Sequence, residues 1–410
     1  MSLIPNTPYE VLRFSNPLLK PVVPVLLWAV ERLGLWKTPR QGSASDITQM
    51  GVLDNLYWVH KSKNLVRLPE AELQTSDFIT AGQAQISPAG SDEAQTVALS
   101  FVGDILRCHR ADVVPDEVYA EVADLLSASD ITIANYESPV TTQPLVDEVI
   151  GDAGPPTECA SEAQFDALTR FGGRQFDLLN LANNHILDMG AEGVETTLSV
   201  LEARGIQQVG IHEARADPVR VKTLERNGIT IGFASCTFGT NGHSLPENSA
   251  REVLVANLSS KHEAPDTGLL KQQITEARQS GCDLIVAIIH WGYEFEMFPR
   301  RAQQEAAQDL AEFGADLIMC HHPHVAQPVE LYRTREGDRT VPIAYSLGSL
   351  LWGFGHEAIA RSLVLQVSVE KTAERARITD LEIVPVRARA YAVDGQVFQK
   401  VERCSASVGR

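Results

Sequence analysis

The residues able to do chemistry recur at one place in a repeated pattern. Apolar runs of the chain end in groups that can bind metal ions: Gly103-Asp104, Asn135-Tyr136-Glu137, Asn183-Asn184-His185 with Asp188 behind, His290-Trp291-Gly292, His321-His322-Pro323-His324, and Tyr345-Ser346-Leu347-Gly348. Carboxylates, an amide oxygen and several imidazoles form a donor set suited to Mn, Fe or Zn. None of these run ends carries a thiolate, which argues against a structural zinc site. In His322-Pro323-His324 the proline restrains the backbone, and the two imidazoles at i and i+2 can serve one ion or two neighbours. Glu137 has two oxygens and can bridge two ions ~3.5–4 Å apart. Each signal alone has a bland reading: Gly-Asp as a turn, Asn-Asn-His as a helix cap, His290 as a core imidazole. Their common place, in order along the chain, points to one shared site.

Elements must carry these groups to a common point. From about Thr96 the chain alternates between two patterns. TVALSFVGD, ITIAN, FDLLNLANN, CDLIVAIIHWG and ADLIMCHHPH read as buried strands. PDEVYAEVADLLSAS, ASEAQFDALTRFG, AEGVETTLSVLEARG, DTGLLKQQITEARQSG and RRAQQEAAQDLAEFG read as helices. VRVKTLERNGITIGFAS reads as a hairpin turning at Asn227-Gly228. VPIAYSLGS, RSLVLQVSV and ITDLEIVPV add three strands close together. Helices alternating with apolar strands imply an α/β fold with sheets covered by helices. In open α/β sheets ligands bind beyond the carboxyl ends of the strands, so side chains at successive strand ends converge on one crevice.

Composition narrows the function. The 410 residues include 35 Lys and Arg against 53 Asp and Glu, a net charge of −18, with 44% hydrophobic residues. Such a chain folds, and its charge repels a phosphate backbone, which argues against nucleic acid as a partner. The six cysteines are scattered with no CxxC pair, as expected of reduced thiols. Residues 1–95 hold no metal-ligand pattern and form an N-terminal extension without an assigned role. Within it PVVPVLLWAV, residues 21–30, is too short to span a bilayer and is followed by Glu31 and Arg32. It reads as a docking helix, with a peripheral membrane contact through residues 21–36 as the alternative. The expected location is cytoplasmic or peripheral to the membrane.

FVGDIL, ANYESPV, LANNHILDMG, IIHWGYEFEMFPRRAQ, GADLIMCHHPHVAQPVELY and IAYSLGSL together resemble the CapA family of bacterial poly-γ-glutamate capsule synthesis proteins, within the calcineurin-like metallophosphoesterase superfamily. The resemblance implies a four-layer α/β/β/α sandwich over residues 96–395, flanked by the extension and by a C-terminal tail at 396–410. It also implies one or two divalent ions. Asp104 would bind the first ion, Glu137 would bridge, and Asn184 would bind the second. His290 and His322 would join the second ion and His324 the first. His185, oriented by Asp188, would act as an acid or oxyanion stabiliser. Arg107, Glu294, Tyr345 and Ser346 are candidate substrate contacts.

Two positions depart from the superfamily pattern. Leu106 stands where a first-motif histidine is usual, which leaves the first ion poorer in ligands; His109 is a nearby substitute. Ser349 stands where the family has asparagine, which puts one hydrogen bond near the pocket in question. The function implied is metal-dependent hydrolysis of a phosphoester or an anionic polymer. A non-hydrolytic polymer-binding or export component, or a catalytically reduced metal-binding scaffold, is the alternative.

Overall fold

Seven strands position the site. In the computed structural model β1 (Gln95–Ile105), β2 (Ile131–Tyr136) and β3 (Leu178–Asn180) run parallel in one sheet. β4 (Ile229–Thr237), β5 (Leu284–His290), β6 (Leu317–His321) and β7 (Thr340–Ala344) run parallel in the other. The structure describes residues 3–14, 16–88, 94–108, 110–146, 155–214, 221–372 and 376–404, so His109 lies outside it. Helices α1 (Leu19–Arg32) and α2 (Val52–Lys63) belong to the N-terminal segment. Helices α3 (Gly190–Arg204), α4 (Gly268–Gln279) and α5 (Arg301–Phe313) cover the sheets.

The apolar runs explain the layering. Every residue of β5 is buried, and its alternate side chains face opposite ways. Leu284, Val286 and Ile288 meet Leu99, Phe101 and Ile133 of the other sheet. Ile285, Ala287 and Ile289 meet Leu270, Ile274, Ala307 and Leu310 of α4 and α5. On the far face of the first sheet Val102, Ala134 and Leu179 pack with Phe165, Val194 and Leu201. Three apolar cores thus separate four layers, helix, sheet, sheet, helix. Burying each large aliphatic side chain in them contributes about 1.5–3 kcal/mol.

Both sheets gain antiparallel strands at their margins. The hairpin Lys222–Arg226 to β4 turns at Asn227 and Gly228, whose φ values of 54° and 76° suit a two-residue turn. In the first sheet Arg361–Lys371 pairs with β1, and Ala376–Val393 lies beyond it. The expected tail at 396–410 is corrected over most of its length. Gln396–Arg403 is a strand paired with Ala376–Val393, reached through a positive-φ Asp394-Gly395 turn, with Val401 and Phe398 buried. Residues 405–410 lie outside the described residues. The helix expected over PDEVYAEVADLLSAS is also shorter than its pattern. It reduces to a turn at Pro115–Glu117 and a helix at Ala123–Ser127. Tyr119 between them is buried and donates to the Leu168 carbonyl at 2.8 Å, so packing overrides local propensity.

The N-terminal segment does not end at the start of the sandwich. Phe78–Ile79 pairs with Val329–Arg333 of the second sheet, and Gly82–Gln85 pairs with Ala376–Val393 of the first. Upstream, α1 buries Val23, Leu27 and Val30 and leaves Val22, Val25 and Trp28 exposed. No helix among the described residues is long and apolar enough to cross a membrane.

Candidate metal centre

Strand register places the first half of the site. Asp104 of β1 lies opposite Asn135 of β2, and Asn135 lies opposite Asn180 of β3. A chain of hydrogen bonds follows that row. Ser235 donates to Asn180 (2.6 Å), Asn180 to Asn135 (2.8 Å), and Asn135 to both Asp104 (2.9 Å) and Glu137 (2.6 Å). Gly103 is required by a close approach: a Cβ there would lie 1.9 Å from the Gly348 carbonyl oxygen, which accepts the Asp104 amide at 2.9 Å.

The second sheet brings the imidazoles. His290 ends β5 beside His321, which ends β6. Just past β6 the backbone takes φ values of 98° at His322 and 53° at His324, conformations that cost a non-glycine residue about 1–3 kcal/mol. The fold maintains that strain and keeps both imidazoles buried in the site. His321 Nδ1 lies 2.8 Å from Asp104 Oδ1, and the His322 amide donates to Asp104 Oδ2 at 3.2 Å. His324 Nδ1 lies 2.9 Å from Ser349 Oγ and its Nε2 3.9 Å from Glu137 Oε2. Ser349 therefore keeps a hydrogen bond to a candidate ligand at the position where asparagine was expected.

Asn184, His185 and Asp188 come from the loop after β3. Asn184 Oδ1 lies 2.7 Å from His290 Nε2, and His290 Nδ1 lies 3.5 Å from Glu137 Oε1. His185 Nδ1 lies 2.8 Å from Asp188 Oδ2. Asp104, Glu137, Asn184, His290, His322 and His324 are thus brought to one crevice between the two sheets. Asp104, Glu137 and His324 offer ligand atoms within 4.8 Å of one another, as do Glu294, His322 and His324.

The electrostatics fit a cation. Burial alone would raise the Asp104 carboxyl, yet the adjoining His321, with His324 and His290 nearby, holds it well below the usual carboxylate range. Glu137 is pushed far the other way, by burial and then by the Asp104 charge. Burial drives His290 and His322 well below the usual imidazole value, which favours the neutral form that can bind a metal. Glu137 Oε2 and His322 Nδ1 are buried atoms without a hydrogen-bond partner. Bound divalent ions would supply the positive charge that lets Glu137 ionise and would give each orphaned atom a partner. At His185 burial works downward, but the Asp188 carboxylate prevails and the net shift is upward.

The expected substrate contacts fare differently. Arg107 is buried and donates to the carbonyls of Val146 (2.8 Å) and Cys159 (3.4 Å). Tyr345 is buried and donates to Glu330, and Ser346 Oγ accepts the Gly348 amide at 3.1 Å. These three hold the fold together, because a buried polar tip must find a partner within it. Glu294 reaches the crevice as a potential ligand instead. Sequence reasoning placed Asn135 and His321 among the strand-end groups that can bind metal but gave neither an individual role. It missed Ser45, whose Oγ lies 3.1 Å from His322 Nε2, and Trp58, whose indole N–H donates to Glu294. Nothing in the N-terminal sequence pattern marks either residue. A cavity of about 1010 Å³ lies at the opposite ends of the second sheet's strands, among Ile285, Asp316, Arg339 and Val341, and includes none of the site residues.

The chain is 27% identical over 313 residues to the PGA biosynthesis protein CapA of Bacillus subtilis, covering 75% of this chain and 77% of that one. It is 29% identical over 288 residues to the capsule biosynthesis protein CapA of Bacillus anthracis, covering 68% and 66%. A solved structure of the calcineurin-like phosphoesterase YfkN from Bacillus subtilis aligns with a TM-score of 0.39 at 13% identity, over 71% of this chain and 90% of that chain. Residues 98–353, which contain every ligand described above, match the family described as bacterial capsule synthesis protein PGA_cap, and the chain belongs to that family.

Proposed function

We propose that this protein is a metal-dependent hydrolase of the phosphoesterase type that works in poly-γ-glutamate capsule formation. One observation carries the reading: two carboxylates, an amide and three imidazoles from both sheets meet in a buried crevice that leaves Glu137 Oε2 and His322 Nδ1 without partners. Asp104, Glu137 and His324 would hold one ion, and Glu137, Asn184, His290 and His322 the other. Mn, Fe and Zn all suit these donors. When bound, such ions supply Lewis acidity to an ester oxygen and to an attacking water.

The chain's own residues supply the proton. His185 is tied through Nδ1 to Asp188, which fixes the ring, raises its pKa and so favours the protonated form that can give a proton to a leaving oxygen. Asn241 accepts from Asn184 at 3.1 Å and lies 3.5 Å from His185 Nδ1, which aligns the acid with the second ion's amide ligand.

A second reading has its own support. Ser45 and Trp58 of the N-terminal segment touch His322 and Glu294, so a bulky substrate must displace part of that cover. The second reading is a non-hydrolytic polymer-binding component in which the polymer takes the place of that cover. The experiment is a hydrolysis screen of the Mn-loaded full chain with aryl phosphates and phosphodiesters. Turnover lost in Asp104→Asn and lowered about 10²–10⁴-fold in His185→Ala supports the hydrolase. Bound metal without turnover, together with retention of poly-γ-glutamate, supports the second reading.

A further inference from the structure

Leu106 leaves the first ion short of a donor, and its surroundings show that it is no ligand. It is buried with Phe295, Val325 and Trp352 in an apolar cluster beside the site. The same cluster brings in the loop after β5. The Phe295 amide donates to the Pro323 carbonyl at 2.9 Å, which ties the residue after Glu294 to the turn between His322 and His324. The Glu294 carboxylate then lies with a ligand atom of His322 and one of His324, all within 4.8 Å of one another. His324 also belongs to the group with Asp104 and Glu137. Glu294 thus shares one group of close ligand atoms with His322 and His324, and His324 links that group to the one with Asp104 and Glu137. His322 Nδ1, buried and unpartnered in that group, is an independent sign that the place awaits a ligand.

We propose that Glu294 is a metal ligand that supplies the first ion with the donor Leu106 cannot offer, and that Trp58 of the N-terminal segment positions it. This rests on the metallohydrolase reading and deepens it. The first ion then has three carboxylates and one imidazole, against one carboxylate, one amide and two imidazoles for the second. A donor set that rich in hard oxygen suits Mn²⁺ better than Zn²⁺. The Trp58 indole N–H donates to one Glu294 oxygen, which leaves the other for the ion. Its ring sits edge-on to Phe295 with centroids 6.1 Å apart, so the contact is packed as well as hydrogen-bonded. The N-terminal segment, which carries no metal motif, thereby tunes the ion through one hydrogen bond.

The test measures Mn²⁺ binding to the full chain by calorimetry and by the Mn²⁺ paramagnetic resonance spectrum, with thermal unfolding of the metal-free proteins alongside. Three variants are compared with the unaltered chain: Glu294→Gln, Trp58→Phe and Asp104→Asn. The expected result is that Glu294→Gln and Asp104→Asn each lose or greatly weaken one of two Mn²⁺ equivalents and leave the other. Trp58→Phe keeps the ring contact and should weaken that same equivalent about 10–100-fold, with its metal-free melting temperature unchanged. Should Glu294→Gln fail to fold, the Trp58→Phe result carries the test alone. If Asp104→Asn loses an ion while Glu294→Gln binds both as tightly as the unaltered chain, Glu294 is not a ligand and the metal reading stands; if Trp58→Phe binds both as tightly, the positioning through Trp58 is overturned. If the unaltered chain binds no Mn²⁺, the metal reading fails and this inference falls with it.

Discussion

The sandwich and the N-terminal segment meet at the same crevice, but different forces hold them there. In the sandwich, Asp104, Glu137, His290 and the imidazoles after β6 sit at the ends of parallel ladders with an apolar core on either side. Their places follow from backbone register, which a single substitution hardly moves. The N-terminal segment contributes short strands at Phe78–Ile79 and Gly82–Gln85 and a lone bridge between Val66 and Glu296. Its main anchor is polar. Buried Glu296 accepts from Tyr57 (3.0 Å), Lys61 (3.2 Å) and Arg300 (2.8 and 3.0 Å), and Arg300 stacks on Tyr293. The contrast teaches that ligands are fixed by the fold, while their cover is fixed by charges that must stay paired.

The largest break in that contrast is Glu296→Ala. It leaves Lys61 and Arg300, both nearly fully buried, without their carboxylate. Removing one partner of a buried pair costs about 3–5 kcal/mol. Denaturant unfolding should show a loss of that size, and limited proteolysis should cut within the first 70 residues before the sandwich. A loss below about 1 kcal/mol would mean that apolar contacts, not the charge cluster, dock the segment.

A smaller effect separates the two sheets' contributions. Because Leu106 leaves the first ion poorer in ligands, the sequence predicts that His322→Ala costs more metal affinity than His324→Ala. The grouping of ligand atoms points the other way: His324 belongs to both groups, His322 to one. His324→Ala should therefore weaken the first ion, by more than the 10–100-fold typical of a residue behind a ligand, and His322→Ala chiefly the second, with the larger loss from His324→Ala. Calorimetric titration with Mn²⁺ decides it, and a larger loss from the His322 change would restore the first expectation.

Next comes Ser349→Ala, which removes the group 2.9 Å from His324 Nδ1. That imidazole then lacks the partner that orients it. About a tenfold loss of Mn²⁺ affinity is expected, the lower end for a group behind a ligand. An unchanged titration would show that Asp104, 3.4 Å from the same nitrogen, orients the ring alone.

These predictions also mark what the sequence could reveal. Strands and ligands were legible together, because a run such as Leu284–His290 is apolar throughout and ends in a group that apolar packing cannot explain. The Asn227-Gly228 turn was legible from two residues; the equally plain Asp394-Gly395 turn was passed over, and with it the last strand. The individual roles of Asn135 and His321 escaped because their work is to hold Asp104, and a supporting hydrogen bond has no spacing of its own. Ser45 and Trp58 escaped for a stronger reason. They touch His322 and Glu294 across more than 200 positions of chain, a contact made by tertiary docking alone. Arg107 misled because a cation near a strand end looks the same whether it faces a substrate or two carbonyls.

The smallest effect concerns pH and sharpens the contrast most directly. Asp54 of α2 accepts from the Gly51 amide (2.8 Å), from Arg40 (2.6 Å) and from Lys261 (3.1 Å), the last of these a residue of the sandwich. Burial raises its pKa, but the three donors outweigh burial, and the folded value lies below the unfolded 3.8. A carboxyl lowered in this way stabilises the folded state fully above its unfolded pKa. That stabilisation is lost as pH falls below about 3.8 and through the folded value. Asp54→Asn lacks it at every pH. The melting temperatures of the unaltered chain and of Asp54→Asn should therefore differ at pH 7 and converge below the folded value. The sandwich, held by apolar burial, has no such dependence on this carboxylate. A gap as wide at pH 3 as at pH 7 would show that Asp54 acts through packing or through the α2 cap, not through its charge.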